Sequence, residues 1–297
     1  MKKRSFLIFA CGILVTSVAL TACSSNQSNS SQTQNANENV QSAEEVKPVG
    51  FIELANEDTE RIWFEADNIA KDETITGLYV IKNGKATYYH LLTYESHDGI
   101  SDPDQVSYGP RIKDSLTFSD IKDMSNKEII EKAKKIDKEA YDSYFQSFLD
   151  IVDTAIIDWS NEPSTSENPI YVPVLENIKN PLSSLQGDSN YRIYRKRVTE
   201  QKLSAKVETD DTGNSIVNEE IQLPIFVKYE VDFFYSKQLK VGNETRTLVI
   251  EGSTFNIGDI YDSKYVSFGD SPLITRDMPE KSYPALDVLG TKNIVEE

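Results

Sequence analysis

Residues 78–89 read Leu78-Tyr79-Val80-Ile81-Lys82-Asn83-Gly84-Lys85-Ala86-Thr87-Tyr88-Tyr89, two β-branched and aromatic runs on either side of Asn83-Gly84. Asn-Gly satisfies the positive backbone angles of a type I′ turn, whose twist matches that of the strands it joins. A two-residue loop fixes the register, placing Lys82 opposite Lys85, Ile81 opposite Ala86 and Tyr79 opposite Tyr88. Tyr79, Ile81, Tyr88 and His90 then share one face of the hairpin. Upstream, Arg61-Ile62-Trp63-Phe64-Glu65 reads as a further strand. Downstream of Tyr94, a segment rich in Asp, Ser, Gly and Pro reads as a loop to about Ser115.

The next segment has a different period. Ser125-Asn126-Lys127-Glu128 forms a capping box, in which Ser125 accepts from the amide of Glu128 and the Glu128 carboxylate reaches back. Apolar or small residues then recur at Ile129, Ala133, Ile136, Ala140, Tyr144, Phe148, Ile151 and Ala155, steps of three and four that define one helical face. No Gly or Pro lies between Asn126 and Asn161. The charged stretch Ile136-Asp137-Lys138-Glu139 leaves open whether this is one helix or two, and a bend is expected there. From Ile170 onward the chain reads as β-rich. Ile225, Val227, Tyr229, Val231, Phe233 and Tyr235 alternate with Lys228, Glu230 and Asp232, and Thr247 to Glu251 and Tyr261 to Phe268 look similar. The expected class is α+β, with a mostly antiparallel β-sheet and one main helical region, because the strand–helix alternation of a parallel sheet is missing.

At 297 residues, 38% of them hydrophobic, the chain is long enough to bury a core without metals or disulfides. Its 31 Lys and Arg against 48 Asp and Glu leave a net charge of −17. Nucleic acid is therefore a poor partner, since it demands clustered cations. The N-terminus is organised separately. Met1-Lys2-Lys3-Arg4 precedes an apolar run from Phe6 to Leu20, which is too short for a comfortable membrane span and has the layout of an export signal. Ser24 to about Lys47 is rich in Ser, Asn and Gln and cannot support a core, so it reads as a disordered tether. As a coil it spans roughly 25–30 Å, and about 80 Å at full stretch. The folded body, residues 48–297, begins near Pro48.

The run ends in Leu20-Thr21-Ala22-Cys23, which resembles the lipobox of bacterial lipoproteins. That resemblance implies cleavage between Ala22 and Cys23, loss of residues 1–22 as signal peptide, and a diacylglycerol on the Cys23 sulfur. Residues 23–47 would then be the lipidated cysteine and its tether. The only other cysteine, Cys11, leaves with the signal, so the mature chain keeps no free thiol for a disulfide, a nucleophile or a metal. Cleavage removes Lys2, Lys3 and Arg4 and no acid, taking the balance to 28 against 48, or −20. Such a body is repelled by an anionic membrane and is held there by its acyl chains. The Ser125-to-Trp159 stretch, the hairpin types and the turn Asp211-Thr212-Gly213-Asn214 are similar to uncharacterised lipoproteins of Gram-positive bacteria, a resemblance that implies no activity.

Few residues elsewhere point to chemistry. The two histidines, His90 and His97, stand seven apart across a strand end, which is not a ligand spacing, and they read as a sheet and a loop residue. Ser119-Asp120-Ile121-Lys122 matches S-x-x-K but lacks the K-T-G partner, so Ser119 reads as a turn or cap residue. Glu208-Thr209-Asp210-Asp211-Thr212-Gly213-Asn214, with Glu219 beyond, partly follows a calcium loop. Its first position is Glu rather than Asp and Ile216 offers no ligand, so it reads as a hairpin turn. Arg192, Arg195, Lys196 and Arg197 form a basic island, suited either to an anionic wall polymer or to the body's own carboxylates. No cofactor, metal or catalytic residue is expected. The expected role is that of a membrane-anchored extracytoplasmic lipoprotein with a non-enzymatic binding or structural function and a cell-wall or protein partner. The alternatives are a carboxylate-dependent cell-wall glycan hydrolase, which needs neither His nor Cys, and a solute-binding subunit of an importer.

Overall fold

A computed structural model describes residues 46–95, 111–161, 168–232, 238–270 and 272–296. The chain opens with β1 (Lys47–Val49), α1 (Phe51–Asn56), β2 (Arg61–Glu65) and β3 (Thr74–Ile75). The hairpin follows as β4 (Gly77–Lys82) and β5 (Lys85–His90), then β6 (Thr93–Glu95), β7 (Arg111–Asp114) and β8 (Leu116–Thr117). The helical section holds α2 (Phe118–Ile121), α3 (Asn126–Asn161), α4 (Asn168–Ser183) and α5 (Asp188–Thr199). Next come β9 (Gln201–Lys202), β10 (Ala205–Thr209), β11 (Ile216–Pro224), β12 (Tyr229–Asp232), β13 (Gln238–Val241) and β14 (Thr245–Glu251). The last strands are β15 (Asn256–Ile260), β16 (Ser263–Phe268), β17 (Leu273–Thr275), β18 (Ser282–Pro284) and β19 (Ile294–Glu296). The class is α+β.

The centre is a seven-stranded antiparallel sheet in the order β15-β16-β17-β2-β4-β5-β9. The hairpin sits inside it with the expected register, Lys82 on Lys85, Ile81 on Ala86 and Tyr79 on Tyr88. Asn83 and Gly84 take φ of 53° and 71°, the two positive angles of the type I′ turn. Both faces of the sheet are buried, which is why its strands carry apolar residues in succession. On one face Trp63, Tyr79, Ile81 and Tyr88 pack with α1, α4, α5 and a second, four-stranded sheet ordered β14-β11-β10-β19. On the other face Ile62, Phe64 and Leu78 pack with Phe118 and Ile121 of α2 and with Leu116.

α3 belongs to both cores. Its first turns contribute Ile129, Ile130 and Ala133 to the second face, and Tyr141, Tyr144, Phe145, Phe148 and Val152 go to the first. It is one continuous helix, opened by the expected capping box: Ser125 Oγ accepts from the Glu128 amide at 3.3 Å, and the Ser125 amide donates to Glu128 Oε2 at 2.8 Å. The charged stretch that left one helix or two open does not split it. Asp137 is turned inward and is fully buried. Ile157, near the C-terminal end of α3 and off the stripe, is exposed.

Four expectations need correction. The chain is not β-rich from Ile170, because α4 and α5 occupy residues 168–199. Pro173 and Pro181 argue locally against α4, yet Val174, Leu175, Ile178 and Leu182 form a buried helical stripe that outweighs them. α5 carries Asp188 in its first turn and Lys196 and Arg197 in its last, which complements the helix dipole. The alternating strand expected from Ile225 begins only at Tyr229, and adjacent Phe226 and Val227 are both buried. Phe233 and Tyr235 lie outside the described residues. Tyr261 is a turn residue with φ of 54° between β15 and β16, and the segment after Tyr94 contains β7 within its expected loop.

The stripe of α3 predicts its own energetics. Phe148→Ala should cost about 3–5 kcal/mol, and Lys134→Ala, on the exposed face, under about 0.5 kcal/mol. Equilibrium denaturation of both variants checks this, and equal midpoints would remove the stripe from the core.

Candidate functional site

In a hairpin closed by a two-residue turn, the Lys82–Lys85 pair exchanges both backbone bonds, and alternation leaves the N–H and C=O of Ala86, Tyr88 and His90 facing away from β4. β9 covers only Lys85 and Ala86. The next outward groups, the Tyr88 carbonyl and the His90 amide, would be bare. An ion pair takes them. The Arg195 guanidinium, from α5, donates to the Tyr88 carbonyl, and Asp137 Oδ1, from α3, accepts the His90 N–H at 2.7 Å. Arg195 and Asp137 are 3.3 Å apart. Two side chains thus replace the strand that stops short.

The Asp137 carboxylate also accepts the Tyr191 and Tyr194 hydroxyls at 2.9 and 3.2 Å. Its acceptor capacity is therefore filled by four donors. Burial pushes this carboxyl above the usual range, and Arg195, the His90 amide and the two tyrosines pull it back only in part. Arg195 also lies 4.2 Å over the Tyr89 ring. Of the basic island, Arg195 and Arg197 pair with the body's own carboxylates, Arg197 meeting Glu244 at 2.9 Å.

His90 lies under the same corner. Its Nδ1 is 3.0 Å from the Tyr88 hydroxyl and its Nε2 is 2.6 Å from the Tyr94 hydroxyl, and Phe226 stacks on the ring with centroids 4.4 Å apart. Burial holds the imidazole neutral, with its pKa down to about 3. A neutral ring has one N–H, so one nitrogen donates and the other accepts. Tyr88 also hydrogen-bonds Glu65, whose carboxyl burial raises. With Glu65 ionised, Tyr88 donates to it, His90 Nδ1–H donates to Tyr88, and Tyr94 donates to Nε2. Protonating Glu65 permits the reverse order. Glu65 stands 3.5 Å from Arg246, and the Glu65 and Tyr88 side chains meet over Gly77, where a Cβ would collide with both. The arrangement is a closed polar chain that ends at a partly exposed ion pair. It can pass a proton only along its own members, Glu65, Tyr88, His90 and Tyr94, among the described residues.

A second buried pair joins the four-stranded sheet to α1. Asp287 accepts the Ile52 and Glu53 amides at 2.7 and 2.8 Å, capping α1, and its own amide donates to Glu219 Oε1 at 2.6 Å. Among the described residues, Glu219 Oε2 is buried with no hydrogen-bond donor against it. Burial and the neighbouring Asp287 charge push Glu219 up to about 8. We assign the proton to Glu219, since Asp287 has two amide donors to hold its charge. Glu219 is thus not part of a calcium loop. Asp210 instead accepts Thr212 Oγ1 at 2.8 Å and the Asn214 amide at 3.1 Å, closing the turn between β10 and β11. Among the described residues no three His, Cys, Asp or Glu side chains cluster as metal ligands.

The remaining candidates disperse. Ser119 Oγ bonds the Lys71 carbonyl at 2.9 Å and meets Tyr261 Oη at 3.1 Å, whereas Lys122 turns to Asp123 and the Tyr261 ring. A shallow surface groove along α3 contains Glu131 and Asp142, which are held by Lys134 and Lys138. His97, Cys11, Ala22 and Cys23 lie outside the described residues. No helix among the described residues is long and apolar enough to cross a membrane. No family model, curated protein or solved structure matches this chain.

Two predictions follow from these buried acids. Asp137→Ala should cost about 3–5 kcal/mol by leaving the half-buried Arg195 guanidinium and the buried His90 amide without their acceptor, and the loss should be smaller in an Arg195→Met background. A double-mutant cycle by denaturant unfolding measures the difference, and additive losses would show that the pair is not coupled. For Glu219, the folded pKa of about 8 lies above the ordinary 4.5, so the folded state binds the extra proton and stability falls as pH rises between those values. Glu219→Gln should therefore gain in Tm over the wild type on going from pH 5 to pH 8 (values of about the ordinary and shifted pKa). A Tm difference independent of pH would refute the assignment.

Proposed function

We propose that this chain is a membrane-anchored extracytoplasmic lipoprotein with a non-enzymatic binding or structural role, tethered through a diacylglycerol on Cys23. The observation that carries the proposal is Leu20-Thr21-Ala22-Cys23 closing an apolar run, with a basic start before it and a Ser/Asn/Gln-rich segment after it. The partner is a wall component or another protein, met within the reach of the tether. A non-catalytic role is supported by how the perturbed groups are used. Asp137, His90, Glu219 and Asp287 are buried and bonded to neighbouring protein groups, and each has a structural duty that accounts for its environment. A retaining or inverting glycan hydrolase needs two carboxylates about 5–9 Å apart and open to a sugar. Glu219 and Asp287 do not fit that role, because one is enclosed and the other caps a helix.

Cys23→Ala should move the protein from the membrane pellet to uncleaved precursor or to the medium. Fractionation with metabolic fatty-acid labelling reads this out. A variant that pellets, labels and migrates like the wild type would refute the anchor.

A further inference from the structure

The hairpin turn gathers cations in an otherwise acidic chain. Lys82 pairs with Lys85, and Lys85 pairs with Lys202, so three lysines lie on one rung across β4, β5 and β9. Side chains at directly paired positions project from the same face, and neighbouring strands are about 4.8 Å apart, so the rung places three ammonium groups along roughly 10 Å. Like charges directly opposite one another destabilise a sheet. Lys82 is partly offset by Asp58 at 3.4 Å, and no ion pair among the described residues involves Lys85 or Lys202. A fourth lysine comes from the far end of the sequence. Asn56 donates to the Lys292 carbonyl at 2.6 Å, and Asn56 and Asn293 close against Gly84, which brings exposed Lys292 beside the same turn.

We propose that this lysine rung is a docking site for one linear polyanion, a polyol-phosphate chain whose phosphodiesters carry no bases. Charge complementarity selects an anion, and lysine meets phosphate as a point charge. The shape of the patch selects a chain over a plane. A single strand of phosphodiesters can follow the rung and meet its lysines in turn, with Asp58 already engaged by Lys82 and Asn83. A flat anionic bilayer would bring that surface, in a protein of net charge −17, against its own charge. The site is on the folded body and does not depend on the Cys23 anchor, so either proposal can fail alone.

The test uses the full chain in detergent micelles and a poly(glycerol phosphate) probe, with binding followed by fluorescence anisotropy at two salt concentrations. The K85E/K202E variant should bind about tenfold more weakly than wild type, with an unchanged or higher Tm. K127E/K135E, with the same charge change on α3, should stay near wild type. No binding by wild type, or equal losses in both variants, would overturn the proposal. So would binding to vesicles containing anionic lipid that is equally tight and equally dependent on Lys85 and Lys202.

Discussion

The Arg195–Asp137 pair is the interaction around which the molecule is arranged. It ties α3 and α5 to the one stretch of the central sheet that β9 leaves uncovered. A sheet edge with bare amide and carbonyl groups invites pairing with another chain. Here the Tyr88 carbonyl and the His90 amide face a guanidinium and a carboxylate, which reproduce the donor and acceptor of a missing strand. The solution is demanding. Asp137 is withdrawn from water completely and Arg195 in large part, and their attraction alone would not offset that cost. The additional bonds from Tyr191 and Tyr194 to Asp137 are therefore part of the same requirement.

The same corner explains the tyrosines. Tyr88, Tyr94, Tyr191 and Tyr194 each present a ring to the core and a hydroxyl to a buried acceptor or to His90. Tyrosine suits a place that is apolar along one side and polar at one point. Phe226, in the segment that follows β11, closes the site by stacking on His90. The polar network is thus enclosed between layers, where an unsatisfied group would be costly, and this density of bonding is a condition for burying it at all.

What was legible in the sequence was what is local. The hairpin register follows from Asn83-Gly84, and the start of α3 follows from Ser125 and Glu128, because turns and caps are made by residues a few positions apart. Asp137 illustrates the opposite case. In a run of charged residues it reads as surface, and only the approach of His90, 47 positions earlier, and Arg195, 58 positions later, gives it a buried role. α1 begins at Gly50, which has no side chain to cap it, and its cap is Asp287, more than two hundred residues away. α4 is hidden from local sequence for a different reason. Its prolines and β-branched residues dominate the local signal, while the stripe of Val174, Ile178 and Leu182 needs the first core to make it favourable. The partners of the buried acids left no sequence pattern, since Glu219 and Asp287 stand on separate strands and loops.

The continuity of α3 has a consequence for how the body opens. A helix of 36 residues is roughly 54 Å long, and its two halves lie in different hydrophobic cores. Proteins usually fluctuate by releasing cooperative units one at a time. Here neither core can be released as a unit without fraying the helix through Asp137, where the amide of His90 and the guanidinium of Arg195 are anchored. The two cores therefore behave as one foldon, and amide protons on either side of that residue share a common opening free energy.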